Sequence, residues 1–252
     1  MKRGAVITVA GTSSRFSRSL GREVCKPIFS EGPESDSLLF RQLNLLRPYD
    51  LAQITVVGGH KFEDLKRFLD RQAADLPVTL VRNEHYSDYG TCHSLAVGLA
   101  ALEEGLEEVL FLEGDLLFDA PSLKRIMNSP RNVVTATRDL IRADLSVAFY
   151  LSAEDKLGYI YDSEHKKLEL SESFKIMGNS GQVWKFTNAA LLREIMTALS
   201  TEDRQGTNLI IISRYFNRLL NGDIDFIEFQ NWINCNTIED YRAAMAAVEA
   251  HD

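Results

Sequence analysis

The residues best suited to chemistry lie in three short stretches. The first is Ala10-Gly11-Thr12-Ser13-Ser14-Arg15, which closes an apolar run, followed by Cys25-Lys26-Pro27. Gly11 lets the backbone bend or approach a ligand closely. Thr12, Ser13 and Ser14 bring hydroxyls and backbone N–H groups, Arg15 can grip phosphate oxygens through two parallel hydrogen bonds, and Lys26 adds a point charge whose exit Pro27 stiffens. This combination prepares a pocket for a polyphosphate. It is neither a GxGxxG fingerprint nor a Walker P-loop, and taken alone the turn reads equally well as a tight strand–helix connection carrying solvated basic residues. The second stretch is Glu113-Gly114-Asp115. A carboxylate at the C-terminal end of a parallel strand points into the crevice where open α/β sheets bind ligands. Magnesium uses such oxygen ligands, one or two carboxylates completed by substrate phosphates. Glu113 and Asp119 are neighbouring alternatives, and a turn or helix-capping aspartate is the plain structural reading. The third stretch runs from Trp232 to Asp240. Asn234 and Asn236 alternate, so an extended segment turns both the same way. The Asn236 amide oxygen could ligate a metal while Thr237 caps the helix that follows.

The elements that must position these residues alternate between strand and helix. Val6–Ala10, Gln53–Val57, Val78–Val81 and Glu108–Leu112 read as strands. Helical spacing over Leu38–Leu46, Phe62–Leu69 and Ser94–Leu102 places helices between them. The alternation predicts a mostly parallel sheet covered by helices. After about Asn132 the texture changes. Asn132–Ala136 and Ser146–Leu151 read as strands, and Gly158–Asp162 with Lys167–Leu170 as a hairpin around Ser163-Glu164-His165. Val183–Phe186 and Asp225–Phe229 are further strands. Helices are expected at Asn188–Leu199, Asn208–Asn221 and Ile238 to about Ala250. With no linker or repeat between them, 1–131 and 132–252 are expected to share one sheet and form one domain over 1–252, the second half adding substrate-binding strands.

Composition narrows the function. The 252 residues are 45% hydrophobic and 25% charged, an ordinary globular balance. A net charge of -8 argues against a general nucleic-acid binder, yet Arg15, Arg18, Arg22 and Lys26 cluster locally and leave room for a small anionic substrate. Three scattered cysteines, Cys25, Cys92 and Cys235, argue against a zinc site or a disulfide framework. Met1-Lys2-Arg3 before an apolar run has the outline of a signal peptide, but the run is short and no small-residue cleavage site follows. No segment approaches the ~18 apolar residues of a membrane span, and the expectation is a soluble, cytoplasmic protein.

In order and spacing, these stretches resemble the nucleotidyltransferase family of the glycosyltransferase-A-like, Rossmann-related fold. The carrying residues are Ala10–Arg15 with Lys26-Pro27, Gly114-Asp115, and Trp232–Asp240. In the middle, Asn83-Glu84-His85-Tyr86 and Thr91-Cys92-His93-Ser94-Leu95 resemble the family's nucleobase segments, and Gly178-Asn179-Ser180-Gly181 with Lys185-Phe186 its acceptor-side strand. Among the branches, the chain looks most like cytidylyltransferases of the phosphocholine and phosphonate type. It departs from them in carrying Thr-Ser-Ser where many members have a second glycine, and Asn236 where many have aspartate.

The resemblance implies a nucleotide-diphospho-sugar transferase-like fold, α/β with a Rossmann-like, mostly parallel mixed sheet flanked by helices. It implies transfer of CMP from CTP to a small phosphate- or phosphonate-bearing acceptor, with magnesium as cofactor and release of pyrophosphate. Lys26 and Arg15 would be catalytic, holding the α-phosphate with the acceptor and the β/γ-phosphates respectively. Ala10, Gly11, Thr12, Ser13, Ser14, Asn83, Thr91 and Ser94 would bind the nucleotide, and Asp115 and Asn236 the metal; His93 is a weaker candidate. Lys175, Lys185 and Glu172 would meet the acceptor, with Tyr159, Tyr161, Trp184 and Asp139 available to cage a cationic head group. CTP and the acceptor are the expected partners, without nucleic acid or membrane, and a homodimer is allowed for. A sugar-1-phosphate nucleotidylyltransferase using another triphosphate is the alternative within the family. A catalytically silent nucleotide-binding protein is the alternative outside it.

Overall fold

The computed structural model describes residues 1–162, 164, 166–219 and 223–249. The first half contains β1 (Arg3–Val9), α1 (Ser14–Leu20), α2 (Leu38–Leu46), β2 (Leu51–Gly58), α3 (Phe62–Gln72), β3 (Val78–Arg82), α4 (Thr91–Ala100), β4 (Glu108–Glu113), β5 (Leu116–Phe118) and α5 (Ala120–Asn128). The second half contains β6 (Asn132–Thr137), β7 (Ala148–Ser152), β8 (Leu157–Ile160), β9 (Phe174–Phe186), α6 (Ala189–Thr197), α7 (Thr201–Gln205), α8 (Leu209–Phe216), β10 (Ile224–Glu228), β11 (Trp232–Asn234) and α9 (Ile238–Glu249). Nine strands form one mixed sheet in the order β10-β6-β9-β4-β1-β2-β3, with β7 and β8 branching from β9; β11 and β5 make a separate two-stranded ribbon.

Strands β1, β2 and β4 are near-continuous runs of buried apolar residues, as expected for parallel strands covered on both faces. Alternation splits each strand between two cores. Ala5 and Ile7 of β1 pack with Leu39 and Leu43 of α2 and Leu65 and Phe68 of α3. Val6 faces the opposite way, with Leu95 and Leu99 of α4 and Ile212 of α8. The chain runs outward from β1 through β2 to β3, then returns to lay β4 on the other side of β1. That reversal opens a crevice at the C-terminal ends of β1 and β4.

Two differences from the sequence reading concern the second half. The expected hairpin pairs Gly158–Asp162 with Lys167–Leu170, but the strand over 157–160 pairs backward with β7. A tight turn at Asp155, with φ 62°, allows this, closed by the Ser152 N–H donating to the Lys156 carbonyl at 2.8 Å. Residues 167–170 form no strand; the Asp162 carboxylate instead accepts the N–H groups of Glu164, Lys166 and Lys167. Ser163 and His165 lie outside the described residues, as do Asn221 and Ala250 at two expected helix ends. The second difference is β9, which runs for 13 residues where only Val183–Phe186 was expected. Gln182 at φ 55° lies where β9 passes from its contact with β7 to its contact with β4.

Candidate active site

A cleft of about 230 Å³ opens at the ends of β1 and β4. It is lined by the whole Ala10–Arg15 turn, by Lys26, by Glu113, Gly114 and Asp115, and by Thr91, Ser94, Asn208 and Asn236. The register explains the meeting of the first two stretches: Thr8 lies beside Glu113 in the parallel pair, so both strands end at one level. Gly114 is required there. A Cβ on it would fall 2.2 Å from Val9 Cγ1, while its N–H donates to the Thr8 carbonyl at 3.0 Å. Only a bare backbone can cross β1 so closely, and this crossing delivers Asp115 to the cleft.

In the opening turn, Gly11 is not needed for an unusual dihedral, and a Cβ built on it meets nothing within 4 Å. The glycine therefore leaves open space over the backbone at the cleft wall. Ser13 takes the left-handed conformation itself, φ 56° and ψ 26°, which costs a non-glycine residue roughly 1–2 kcal/mol. In return its hydroxyl accepts the Lys26 N–H at 3.2 Å. The serine thus adopts a glycine-like backbone and also ties the turn to the Lys-Pro segment. Phe16, Phe29 and Tyr241 lock the same region from behind, with ring centroids 5.2 and 5.3 Å apart along the chain of contacts.

Lys26 begins a short 3₁₀ turn stiffened by Pro27, and its Nζ donates to Asp115 Oδ2 at 3.0 Å. The other oxygen, Asp115 Oδ1, is buried without a hydrogen-bond partner. Asn236 arrives through the ribbon. Asn234 pairs with Leu116, and the Cys235 N–H donates to the Asp115 carbonyl at 2.9 Å. Asp240 then holds Asn236 from the helix side: its carboxylate accepts the N–H groups of Asn236 and Thr237, while the Thr237 hydroxyl accepts the Asp240 N–H. The Asn236 Oδ1 accepts a hydrogen bond from Arg15 at 2.9 Å.

The far wall contains two residues that the sequence reading did not assign to the nucleotide. Asn208 donates from Nδ2 to Glu113 Oε1 at 2.7 Å, and its backbone N–H donates to Thr91 Oγ1 at 3.0 Å. Burial, reinforced by the Asp115 charge, pushes the Glu113 carboxyl up to about 8. The available signals were a lone amide opening the apolar run Leu209–Phe216 and a carboxylate closing the apolar strand β4. Asn83 lies behind the wall rather than on it. Fully buried, it donates to Ser94 Oγ at 2.9 Å and accepts the His85 N–H. His93 also stays off the cleft, packed edge-on to Tyr89 with its ring nitrogen 3.3 Å from Arg204.

The acceptor-side candidates are not brought to this cleft. Lys185 is a correction: its side chain is 1% exposed, and its ammonium is bonded to Glu108 at 3.4 Å and to the Ser129 carbonyl. Beside Leu110 in the β4–β9 pair, it shares buried Glu108 with Arg3, which lies 2.9 Å from the other carboxylate oxygen, and burial pulls the lysine's pKa down. Of the residues available for a cage, Trp184 is stacked on Phe111 in the core and donates to the Tyr159 hydroxyl at 2.8 Å. Lys175 pairs at the surface with Asp155, Glu172 accepts from the Tyr150 hydroxyl, and Tyr161 is exposed.

The donors present fit a magnesium ion. Among the described residues no cluster of three or more His, Cys, Asp or Glu could hold a metal, but magnesium needs only one or two protein carboxylates beside substrate phosphates. The unpartnered, buried Asp115 Oδ1 and the Asn236 amide oxygen are hard oxygen donors at the cleft.

The sheet order, the mixed strand directions and the flanking helices define a nucleotide-diphospho-sugar transferase fold, shared with solved nucleotidyltransferases. The CTP:phosphocholine cytidylyltransferase of Streptococcus pneumoniae superposes with a TM-score of 0.65 at 14% identity, over 98% of this chain and 100% of that one. An inositol-1-phosphate CTP transferase from T. maritima gives 0.68 at 16%, over 98% and 96%. A UDP-glucose pyrophosphorylase gives 0.69 at 13%, over 100% of both. The chain belongs to the family described as Domain of unknown function (DUF6564), whose model matches residues 22–248. It is also 24% identical over 218 residues to the bifunctional protein GlmU of Corynebacterium aurimucosum. That match takes in 83% of this chain and 43% of the relative, so the chain spans less than half the length of the curated protein it matches.

Proposed function

We propose that this protein is a magnesium-dependent nucleotidyltransferase that moves CMP from CTP to a small phosphate- or phosphonate-bearing acceptor and releases pyrophosphate. One observation carries the reading: Arg15, Lys26, Asp115 and Asn236, from four separate segments, line one cleft at the ends of β1 and β4. An acceptor oxygen attacks the α-phosphorus in line, forming the new phosphorus–oxygen bond as the bond to the β-phosphate oxygen breaks. The acceptor is already anionic at neutral pH, so no side chain need remove a proton. Catalysis is then positioning and charge balance. Lys26 draws the α-phosphate and the acceptor anion together, and Arg15 holds the β/γ-phosphates. The open backbone at Gly11 admits the nucleotide, with Thr91 and Ser94 on its base and sugar side. Asp115 and Asn236 would hold magnesium, which when bound offsets charge on the phosphate oxygens. The first half of the chain serves the nucleotide, joined by Asn208 and Asn236 from the second half, whose other strands serve the acceptor.

CTP is favoured by the branch resemblance and by two of the structural neighbours, which are named for CTP. The UDP-glucose pyrophosphorylase neighbour favours a second reading, a sugar-1-phosphate acceptor with another triphosphate. Pyrophosphate release, measured with each of the four triphosphates, magnesium and a panel of phosphocholine, aminoalkylphosphonates and hexose 1-phosphates, decides between them. Turnover only with a hexose 1-phosphate and UTP or dTTP replaces the first reading by the second. Nucleotide binding without turnover on any acceptor leaves a silent binder.

A further inference from the structure

The two cations assigned above to phosphates are hydrogen-bonded to the two residues assigned to the metal. Lys26 Nζ lies 3.0 Å from Asp115 Oδ2, and Arg15 lies 2.9 Å from Asn236 Oδ1. The inner pair is the stronger restraint, being a charge-assisted bond between partly buried groups, with side chains 12% and 25% exposed. The outer pair joins an exposed arginine to a neutral amide and is weaker. Asp115 Oδ1 remains buried and unpartnered beside the ammonium. A divalent cation binding that carboxylate is opposed by the Lys26 charge already paired with it.

We infer that Lys26 and Arg15 act as internal counter-ions of the metal site, so that the site admits a divalent cation readily only when a nucleotide draws both side chains onto its phosphates. Metal and nucleotide then bind with positive coupling, because each removes what opposes the other. The asparagine at position 236 contributes to this arrangement. It leaves Arg15 held by a neutral acceptor, from which phosphate oxygens can take it more readily than from a carboxylate. This inference rests on the proposed nucleotidyltransferase reading, and it concerns binding rather than turnover.

The test is the affinity for Mn²⁺ alone, without nucleotide, read from the electron paramagnetic resonance signal of the free ion. Lys26→Met should bind Mn²⁺ at least ~10-fold more tightly than the wild type, equivalent to ~1.4 kcal/mol. Adding Asp115→Asn to that variant should abolish the gain. Arg15→Ala changes an exposed side chain and avoids disturbing the interior; it should shift affinity the same way by less. Unchanged or weaker Mn²⁺ binding in both Lys26→Met and Arg15→Ala overturns the inference, as does a gain that survives Asp115→Asn. Equilibrium dialysis of CTP against wild-type protein, with and without MgCl₂, checks the underlying reading separately. No CTP binding in either condition removes the proposed function. CTP binding with unchanged Mn²⁺ affinity in the two variants removes only the counter-ion role.

Discussion

Polar residues near the ends of β1 and β4 are held by one another, whereas those expected on the acceptor side are held by the core or by surface partners. In the first region Ser13 ties to Lys26, Lys26 to Asp115, Arg15 to Asn236 and Asn208 to Glu113, so every contact faces the cleft. In the second, Lys185 satisfies buried Glu108, Trp184 fills the core, and Lys175 pairs outward with Asp155. A lysine can therefore line the cleft or neutralise a core carboxylate, and its type does not decide which. What decides is where the fold puts it: on the 3₁₀ turn beside the open end of the sheet for Lys26, or in β9 between β4 and β6 for Lys185.

The sharpest way to break this comparison is to remove charges from each region. Asp115→Ala should reduce turnover by ~10³-fold and leave the remaining activity insensitive to added magnesium. Lys26→Ala should cost at least ~10²-fold, the scale of losing one transition-state charge contact. Steady-state pyrophosphate release checks both, and near-normal turnover in Lys26→Ala would overturn its assignment. Lys185→Ala should behave in the opposite way, losing roughly 1–3 kcal/mol of stability by leaving the Ser129 carbonyl unpaired and Glu108 to Arg3 alone, with acceptor KM unchanged in the fraction that stays folded. Denaturant melts with kinetics below the midpoint measure this. A raised acceptor KM at full stability would return Lys185 to the acceptor site.

Two smaller effects refine the picture. Ser13→Ala keeps the left-handed backbone strain and loses the bond to Lys26, so stability should fall by about 1 kcal/mol. Ser13→Gly also loses the bond but relieves the strain, and should sit closer to the wild type; reversal of that order in thermal melts would contradict the turn's assigned role. Asp203 offers a pH effect outside the cleft. Arg214 and the backbone N–H of Ser200 lower its carboxyl from 3.8 to about 2. Its contribution is therefore complete above about pH 4 and disappears as pH falls through 2. The stability gap between wild type and Asp203→Asn should close over that window, and a gap independent of pH would refute the linkage.

Much of the first half was legible because local rules and the fold agree there. Buried apolar strands, helices with a clear apolar stripe and small-residue turns mark β1, β2 and β4 and the carboxylate that ends β4. The helix preceded by Thr237 was likewise readable from its cap. The second half was harder. The run after Tyr161 has the alternation of a strand, yet Asp155 closes the hairpin earlier and Asp162 gathers three N–H groups that a ladder would have used. The long β9 was hidden because glycines at 178 and 181 dilute its pattern. Both make room for aromatic rings, Phe149 and Phe229, that come from distant strands and loops.

By itself, the sequence determined the alternating α/β pattern, the basic turn after the first strand and the carboxylate at the end of the fourth, since each depends on residues within a few positions of one another. Tertiary structure alone decided that Asn208 holds Glu113, that Asn83 supports the wall rather than lining it, and that Lys185 is a core counter-ion. It also decided that Lys26 and Arg15 rest on Asp115 and Asn236, pairs separated by 89 and 221 residues. Such contacts arise from strand register and from the crossing at Gly114. Register is set by the packing of whole faces, so no local window of sequence contains it.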